Sequence, residues 1–323
     1  MSHYIYRSIT ELPRLFIVGN EKVFEIHGKR SGENFRAILF PVNSWDESKK
    51  YVIEHWLDKV DLLPKRLCIN LSADKDYNAC LLVESKVDEE CGNPVSSKTR
   101  VLVEVQSAIR FAMLLFWGGL GPYLEETWTF QKPLRGISRS KATVGENDFL
   151  CSNVRWVRND WDVFERVFYS LLSRRWSETK LGRVLDLGMG FLLSSIRAES
   201  PDSALVLLSI AFESLFSEEE GEWAGSSSRL SKLVAKTKNE KNQIHASLNR
   251  GENSLRVYRN AVVHGGLSID YKELNLLRQK FAAWIAQAIV KIILAYEDGT
   301  DFDNYYPALA RVCDETFKAL PDR

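Results

Sequence analysis

Hydrophobic positions change rhythm near the middle of the chain. Up to about residue 150 they come in short runs bounded by turn residues, and after about residue 155 they recur every three or four positions. In the first part, Leu15 to Val18 and Val23 to Ile26 flank Gly19-Asn20-Glu21 and predict a hairpin. Further strands are expected at Phe35 to Phe40, Leu67 to Leu71, Cys80 to Val83 and Val101 to Val105. Lys50 to Val60 roughly follows a helical period through Tyr51, Trp56, Leu57 and Val60. The polar segment Gln131 to Asn147 holds Pro133, Gly136 and Gly145 and reads as a loop or linker, with a soft boundary near it.

The second part predicts a run of helices. Trp161, Phe164, Phe168, Leu171 and Leu172 share one face of the first, and a second spans about Leu181 to Ala198. Ser200-Pro201-Asp202 starts a third, because proline in the first turn loses only an N–H that has no helical partner. That helix carries Ala204, Leu207, Leu208, Ala211, Phe212 and Leu215. Glu218 to Ser228 is acidic and then Gly- and Ser-rich, so it reads as a loop before a short helix near Leu230 to Ala235. Another helix is expected from Ser254 to His264, stopped by Gly265-Gly266. The longest runs from about Lys272 to Tyr296, and a last one lies near Tyr306 to Leu320. The expected fold class is α+β: a β-rich N-terminal domain over residues 1–150 and an all-α helical bundle over 151–323.

Composition narrows the classes of function. Of 323 residues, 45% are hydrophobic and 11% aromatic, enough to bury a core and inconsistent with a disordered chain. The 43 basic residues balance the 43 acidic ones. Such a chain does not coat polyanions, so any contact with a nucleic acid would have to come from a local patch. The five cysteines contain no C-x-x-C pair, which fits reduced, packed thiols and neither a disulfide scaffold nor a zinc cage. No signal-peptide run opens the chain, and the apolar stretch Phe111 to Leu120 is about half the roughly 20 residues of a membrane span. A cytoplasmic protein without a membrane segment is expected.

The candidate chemistry lies at Arg259 and His264, an R-x4-H pair. With three spacings allowed, a chain with this many arginines and five histidines yields about one such pair by chance, so its surroundings carry the weight. Asn260 follows the arginine, Ala261-Val262-Val263 is apolar, and His264 stands where the helix is expected to stop. Glu213 sits among apolar residues in Ala211-Phe-Glu-Ser-Leu-Phe216 and is either an edge residue facing solvent or a buried partner of Arg259, the second being favoured because a buried carboxylate needs a cation. A histidine titrates near neutral pH and serves as acid or base, while a guanidinium grips a phosphate with paired donors. Five residues along an ideal helix place Arg259 and His264 about 140° apart. They converge on one phosphate if the helix ends at His264 or if a second subunit supplies the partner.

Tyr258-Arg-Asn-Ala-Val-Val-His-Gly-Gly266, Ala211-Phe-Glu-Ser-Leu-Phe216 and the helices around them resemble the HEPN superfamily, and within it the Apea-like HEPN group. The resemblance covers roughly residues 155 to 300. It implies a metal-independent endoribonuclease with no cofactor, a homodimer whose two motifs share a cleft, and a role in anti-phage defence or as a toxin. It assigns Arg259, Asn260 and His264 as catalytic, with Glu213 behind them, and RNA as the partner, alongside a possible regulatory or antitoxin protein. The N-terminal half would sense a trigger, bind substrate or restrain the nuclease.

Other readings compete. The same helices fit a non-catalytic HEPN module that binds RNA, a nucleotide or a partner protein. Val184-Leu-Asp-Leu-Gly-Met-Gly190 is similar to the first motif of S-adenosylmethionine-dependent methyltransferases, although Leu192 replaces the usual third glycine and the flanking residues suit one helix. The basic segment Lys132 to Lys141 reads mainly as a solvated loop, and the tryptophans at 156, 161 and 176 as core and rim residues. His3, His27, His55 and His245 show no metal or triad spacing.

Overall fold

A computed structural model describes the backbone of residues 3–13, 15–17, 24–30, 33–41, 77–88, 98–117, 124–132, 137–143, 154–156, 159–198, 200–219, 222–249, 254–264 and 271–322. Side chains are described for most of 161–322 and for parts of 26–37 and 101–116. Contacts between Cα atoms divide the chain into two units. One comprises Met1–Ser107, Tyr123–Val144 and Ser152–Asp162, and the other Ala108–Pro122, Gly145–Cys151 and Val163–Arg323.

The first unit is built on an antiparallel sheet. Its strands are β1 (His3–Pro13), β3 (Phe24–Arg30), β4 (Glu33–Pro41), β5 (Tyr77–Asp88), β6 (Leu124–Lys132) and β7 (Ile137–Thr143), in the order β3-β4-β5-β1-β6-β7. A separate pair joins β2 (Leu15–Ile17) to β8 (Val154–Trp156) in parallel. The register of β1 on β5 shifts between Leu12 and Pro13, where proline has no N–H to donate to the ladder.

Three expectations for this half fail. Leu15 to Val18 and Val23 to Ile26 do not form a hairpin, since β2 pairs with β8 while β3 pairs with β4. In the β3–β4 pair Arg30 stands opposite Glu33. Gln131 to Asn147 is not one continuous linker, because Phe130 to Leu124 pairs with Ile137 to Thr143. An edge strand has a neighbour on one side only and tolerates the polar composition of Ser138-Arg-Ser-Lys141. Val101 to Val105 is not extended either. It belongs to helix α1 (Lys98–Trp117), where Val101, Val105, Ala108, Ala112 and Leu115 are buried at helical spacing and override the local preference of β-branched valines. The expected elements at Lys50 to Val60 and Leu67 to Leu71 lie outside the described residues, as does the boundary near residue 150.

The C-terminal region is a bundle of helices. In chain order these are α2 (Asn159–Ser173), α3 (Lys180–Arg197), α4 (Pro201–Phe216), α5 (Trp223–Val234), α6 (Lys238–Asn249), α7 (Leu255–His264), α8 (Tyr271–Glu297) and α9 (Tyr305–Lys318). The third begins as its sequence requires: the Ser200 side chain accepts from the Ser203 N–H and Pro201 follows in the first turn. Ala204, Leu205, Leu208, Ala211, Phe212, Leu215 and Phe216 of α4 are all buried, so this helix runs through the core. Phe212 stacks edge-on against Trp223 of α5 and Phe281 of α8, with ring centroids 4.9 and 5.6 Å away. Each fully buried ring stabilises by about 1.5–3 kcal/mol.

The expected loop from Glu218 to Ser228 is half helix, because α5 already begins at Trp223. Ser226, Ser227 and Ser231 are buried, and each hydroxyl donates to a carbonyl three or four residues earlier, so small polar residues pack here without unsatisfied groups. Helix α6 has no counterpart among the expectations. Only Ile244 and Leu248 of its residues are buried, too few to give a readable period.

Donors from other helices close several helix ends, where carbonyls lack intrahelical partners. Buried Arg278 of α8 donates to the Ser195 carbonyl at the end of α3, 2.7 Å away. Tyr305 of α9 and Arg229 of α5 donate to the Leu215 and Phe216 carbonyls of α4, at 3.0 and 2.6 Å. Lys291 closes α5 at Leu233 and Trp223 closes α6 at Leu248. Cys313 is buried and free, and burial pushes its thiol up to about 12. No described helix is long and apolar enough to cross a membrane.

Candidate functional site

Helix α7 carries the candidate residues, and its buried side chains, Leu255 and Tyr258, lie in its first half. Arg259, Ala261 and Val262 are half-buried, whereas Asn260, Val263 and His264 are exposed. The described part of the helix runs to His264; Gly265-Gly266, the expected stop, lies outside the described residues.

Successive residues on a helix point about 100° apart, so Tyr258 and Arg259 reach different neighbours. The Tyr258 hydroxyl donates to Glu273 Oε1 in the first turn of α8, at 2.9 Å. Burial, reinforced by the hydrogen bond and the charge of Glu273, raises the pKa of that phenol. Arg259 turns toward α4, where its Nη2 lies 3.7 Å from Glu213 Oε1. Glu213 is there because Phe212, its neighbour on α4, is held in the core, which leaves the next side chain at the bundle surface.

The contact with Glu213 is longer than a hydrogen bond and acts through charge alone. Arg259 Nη1 donates to Asn260 Oδ1 at 3.2 Å, so Asn260 keeps its two amide protons for another acceptor. The guanidinium, 34% exposed, retains donors that face no protein acceptor among the described residues. Chemically, this is a planar cation with spare donors beside an amide, on the same helix as a terminal imidazole.

The structure therefore brings Glu213, Arg259 and Asn260 together. It leaves His264 apart: no hydrogen bond or ion pair joins it to Arg259 among the described residues. The sequence reading gave no role to Tyr258 or Glu273. Their signal was present in the aromatic residue directly before Arg259 and in an acidic residue opening the next helix. The methyltransferase-like segment Val184 to Gly190 lies in the middle of α3, without the strand and Gly-rich turn that motif needs. A Cβ on Gly188 would stand 2.8 Å from Leu215 Cγ, so this glycine serves the close approach of α3 to α4. Among the described residues no cluster of three His, Cys, Asp or Glu side chains is placed to hold a metal ion. Compared with protein-family models, curated proteins and solved structures, the chain matches none.

Proposed function

We propose that the C-terminal bundle is a metal-independent endoribonuclease of HEPN type that works as a homodimer, in antiviral defence or as a toxin. One observation carries this reading. Arg259, beside Glu213 and Asn260 and still 34% exposed, stands on the same helix as His264, the last of its described residues.

The chemistry follows from those groups. A neutral imidazole takes the proton of a ribose 2′-hydroxyl, and the freed oxygen attacks the adjacent phosphorus. Arg259 and the Asn260 amide neutralise the charge that builds on the phosphoryl oxygens. An imidazolium then protonates the departing 5′-oxygen, leaving a 2′,3′-cyclic phosphate and a 5′-hydroxyl. Base and acid are two different imidazoles in this scheme. Each protomer supplies one candidate, His264, so two protomers complete the site.

The test is to incubate the purified protein with mixed RNA in EDTA, beside His264→Ala, and to look for 2′,3′-cyclic phosphate ends. Cleavage by the wild type and its loss in the variant support the nuclease. RNA binding without cleavage by either protein supports the non-catalytic binding module instead.

A further inference from the structure

The half of α7 that carries the candidate chemistry has no buried side chain of its own. Its last buried residue is Tyr258, and every described residue from Arg259 to His264 is half-buried or exposed. A helix of 10 residues is marginal without tertiary support, so something must hold that half in place. Two side chains do so at its upstream edge, Arg259 against α4 and Tyr258 against α8.

The Tyr258 contact is the tighter of the two. Its ring is 6% exposed, and packing alone would be met by phenylalanine. The hydroxyl adds a bond of 2.9 Å to a carboxylate, shorter than the 3.7 Å ion pair of Arg259. Glu273 is a firm anchor. It lies in the first turn of the longest helix, where the helix dipole favours a carboxylate, and that helix is fixed by Leu274, Arg278, Phe281 and Ile285 in the core. The bond also bridges the connection between His264 and Tyr271, so it restrains the stretch of chain to which the histidine belongs.

We propose that Tyr258 is a positioning residue for the Arg259–His264 site, acting through its hydrogen bond to Glu273. The proposal rests on the nuclease reading above. Binding of the phosphate depends on the charge of Arg259, which the tether does not alter. The alignment of His264 depends on how firmly the end of α7 is held. Loss of the tether therefore acts on kcat and spares KM, because a displacement of about 1 Å costs up to about 100-fold in turnover.

The experiment compares Tyr258→Phe, Glu273→Ala, Glu273→Gln and the double variant Tyr258→Phe/Glu273→Ala. Glu273 is exposed, so its variants keep the fold even if the tyrosine variant does not. Steady-state cleavage of RNA in EDTA is expected to show kcat lower by about tenfold in Tyr258→Phe and in Glu273→Ala, with KM within about twofold. The double variant is no worse than either single one, and Glu273→Gln, whose amide oxygen still accepts, keeps most of the rate. Hydrogen exchange read by mass spectrometry provides a second measure that needs no activity. Amides of residues 259–264 exchange faster by about tenfold in the first two variants and near the wild-type rate in Glu273→Gln. Wild-type kcat in Tyr258→Phe, or unchanged exchange over 259–264, overturns the proposal. A wild-type protein that cleaves no RNA sinks the nuclease reading by itself, and the tether then stands or falls on exchange.

Discussion

Glu213 of α4 and Arg259 of α7 meet at 3.7 Å with 40% and 34% of their side chains exposed. An ion pair that open to water contributes at most about 1 kcal/mol, so stability alone does not account for a carboxylate on the central helix of the core. Its charge draws the guanidinium toward α4, and Asn260 Oδ1 accepts from Nη1. Glu213→Gln is expected to change the unfolding free energy by less than about 1 kcal/mol in urea titrations, while RNA cleavage falls by about tenfold. Arg259→Ala is expected to remove cleavage with the fold retained. A loss of stability in Glu213→Gln well above that bound would assign the carboxylate to the fold and not to the site.

Two glycines of α3 offer an internal control on helix packing. A Cβ at Gly182 would lie 2.1 Å from the Trp176 carbonyl oxygen, which already accepts from the Thr179 hydroxyl and N–H in the turn before the helix. That oxygen cannot move without opening the Thr179 cap. At Gly190 nothing lies within 4 Å of such a Cβ. Gly190→Ala is therefore expected to raise stability by about 0.5–1 kcal/mol, through helix propensity and a less flexible unfolded chain. Gly182→Ala is expected to lower it by more than about 2 kcal/mol. Thermal unfolding of both variants decides the matter, and a Gly182→Ala protein as stable as the wild type would show that the turn yields.

What could be read from sequence in this chain was what repeats locally. The period of Phe164, Phe168 and Leu171 located α2, and Ser200-Pro201 gave the start of α4 to the residue. Glu213 does stand beside Arg259, but it is 40% exposed, so the buried carboxylate from which the pairing was argued is not what the structure holds. The failures have one physical source, which is support from residues distant in the chain. Ser226 and Ser227 are helical because the bundle covers them, and Val101 and Val105 because a buried stripe continues beyond them. The donors that close helix ends come from far along the chain, as Arg278 does for Ser195 and Tyr305 for Leu215. The Tyr258–Glu273 bond crosses between helices in the same way, so its partner could not be chosen from spacing.

Alkaline pH tests the buried phenols. Burial, with smaller contributions from Tyr306 and Cys313, raises the pKa of Tyr305 well above 10, and Tyr258 is raised too. A folded-state pKa above the unfolded value means that the protonated phenol is favoured by folding. That stability is fully present below pH about 10 and is lost as pH rises through the folded-state values. Lys291 acts with the opposite sign: burial lowers its pKa, so the cost of its charge is relieved as pH approaches 10.5. Above that point the phenols and the buried Cys313 thiol, itself raised to about 12, remain, and unfolding is expected to coincide with the last step of tyrosinate absorbance. Tyr305→Phe should remove that step and, at neutral pH, cost about 1 kcal/mol through the lost bond to the Leu215 carbonyl. Full ionisation of all tyrosines before any loss of circular dichroism would contradict the buried setting of Tyr305.

The separation of Arg259 from His264 makes the shared site testable by mixing. Both lie on one straight helix, about 140° apart around its axis, and no contact joins them among the described residues. If the base and the acid of one shared site are the two His264 imidazoles of a homodimer, a dimer with one His264→Ala protomer is inactive. Co-refolding the wild type with an equal concentration of His264→Ala places about half of the wild-type protomers in mixed dimers, so the rate per wild-type protomer is expected to fall to about half. The wild type co-refolded alone provides the baseline. A rate per wild-type protomer unchanged by mixing, with subunit exchange confirmed by native mass spectrometry, would mean that each protomer carries its own complete site. The imidazole would then have to swing around the end of α7 to meet the phosphate held by Arg259.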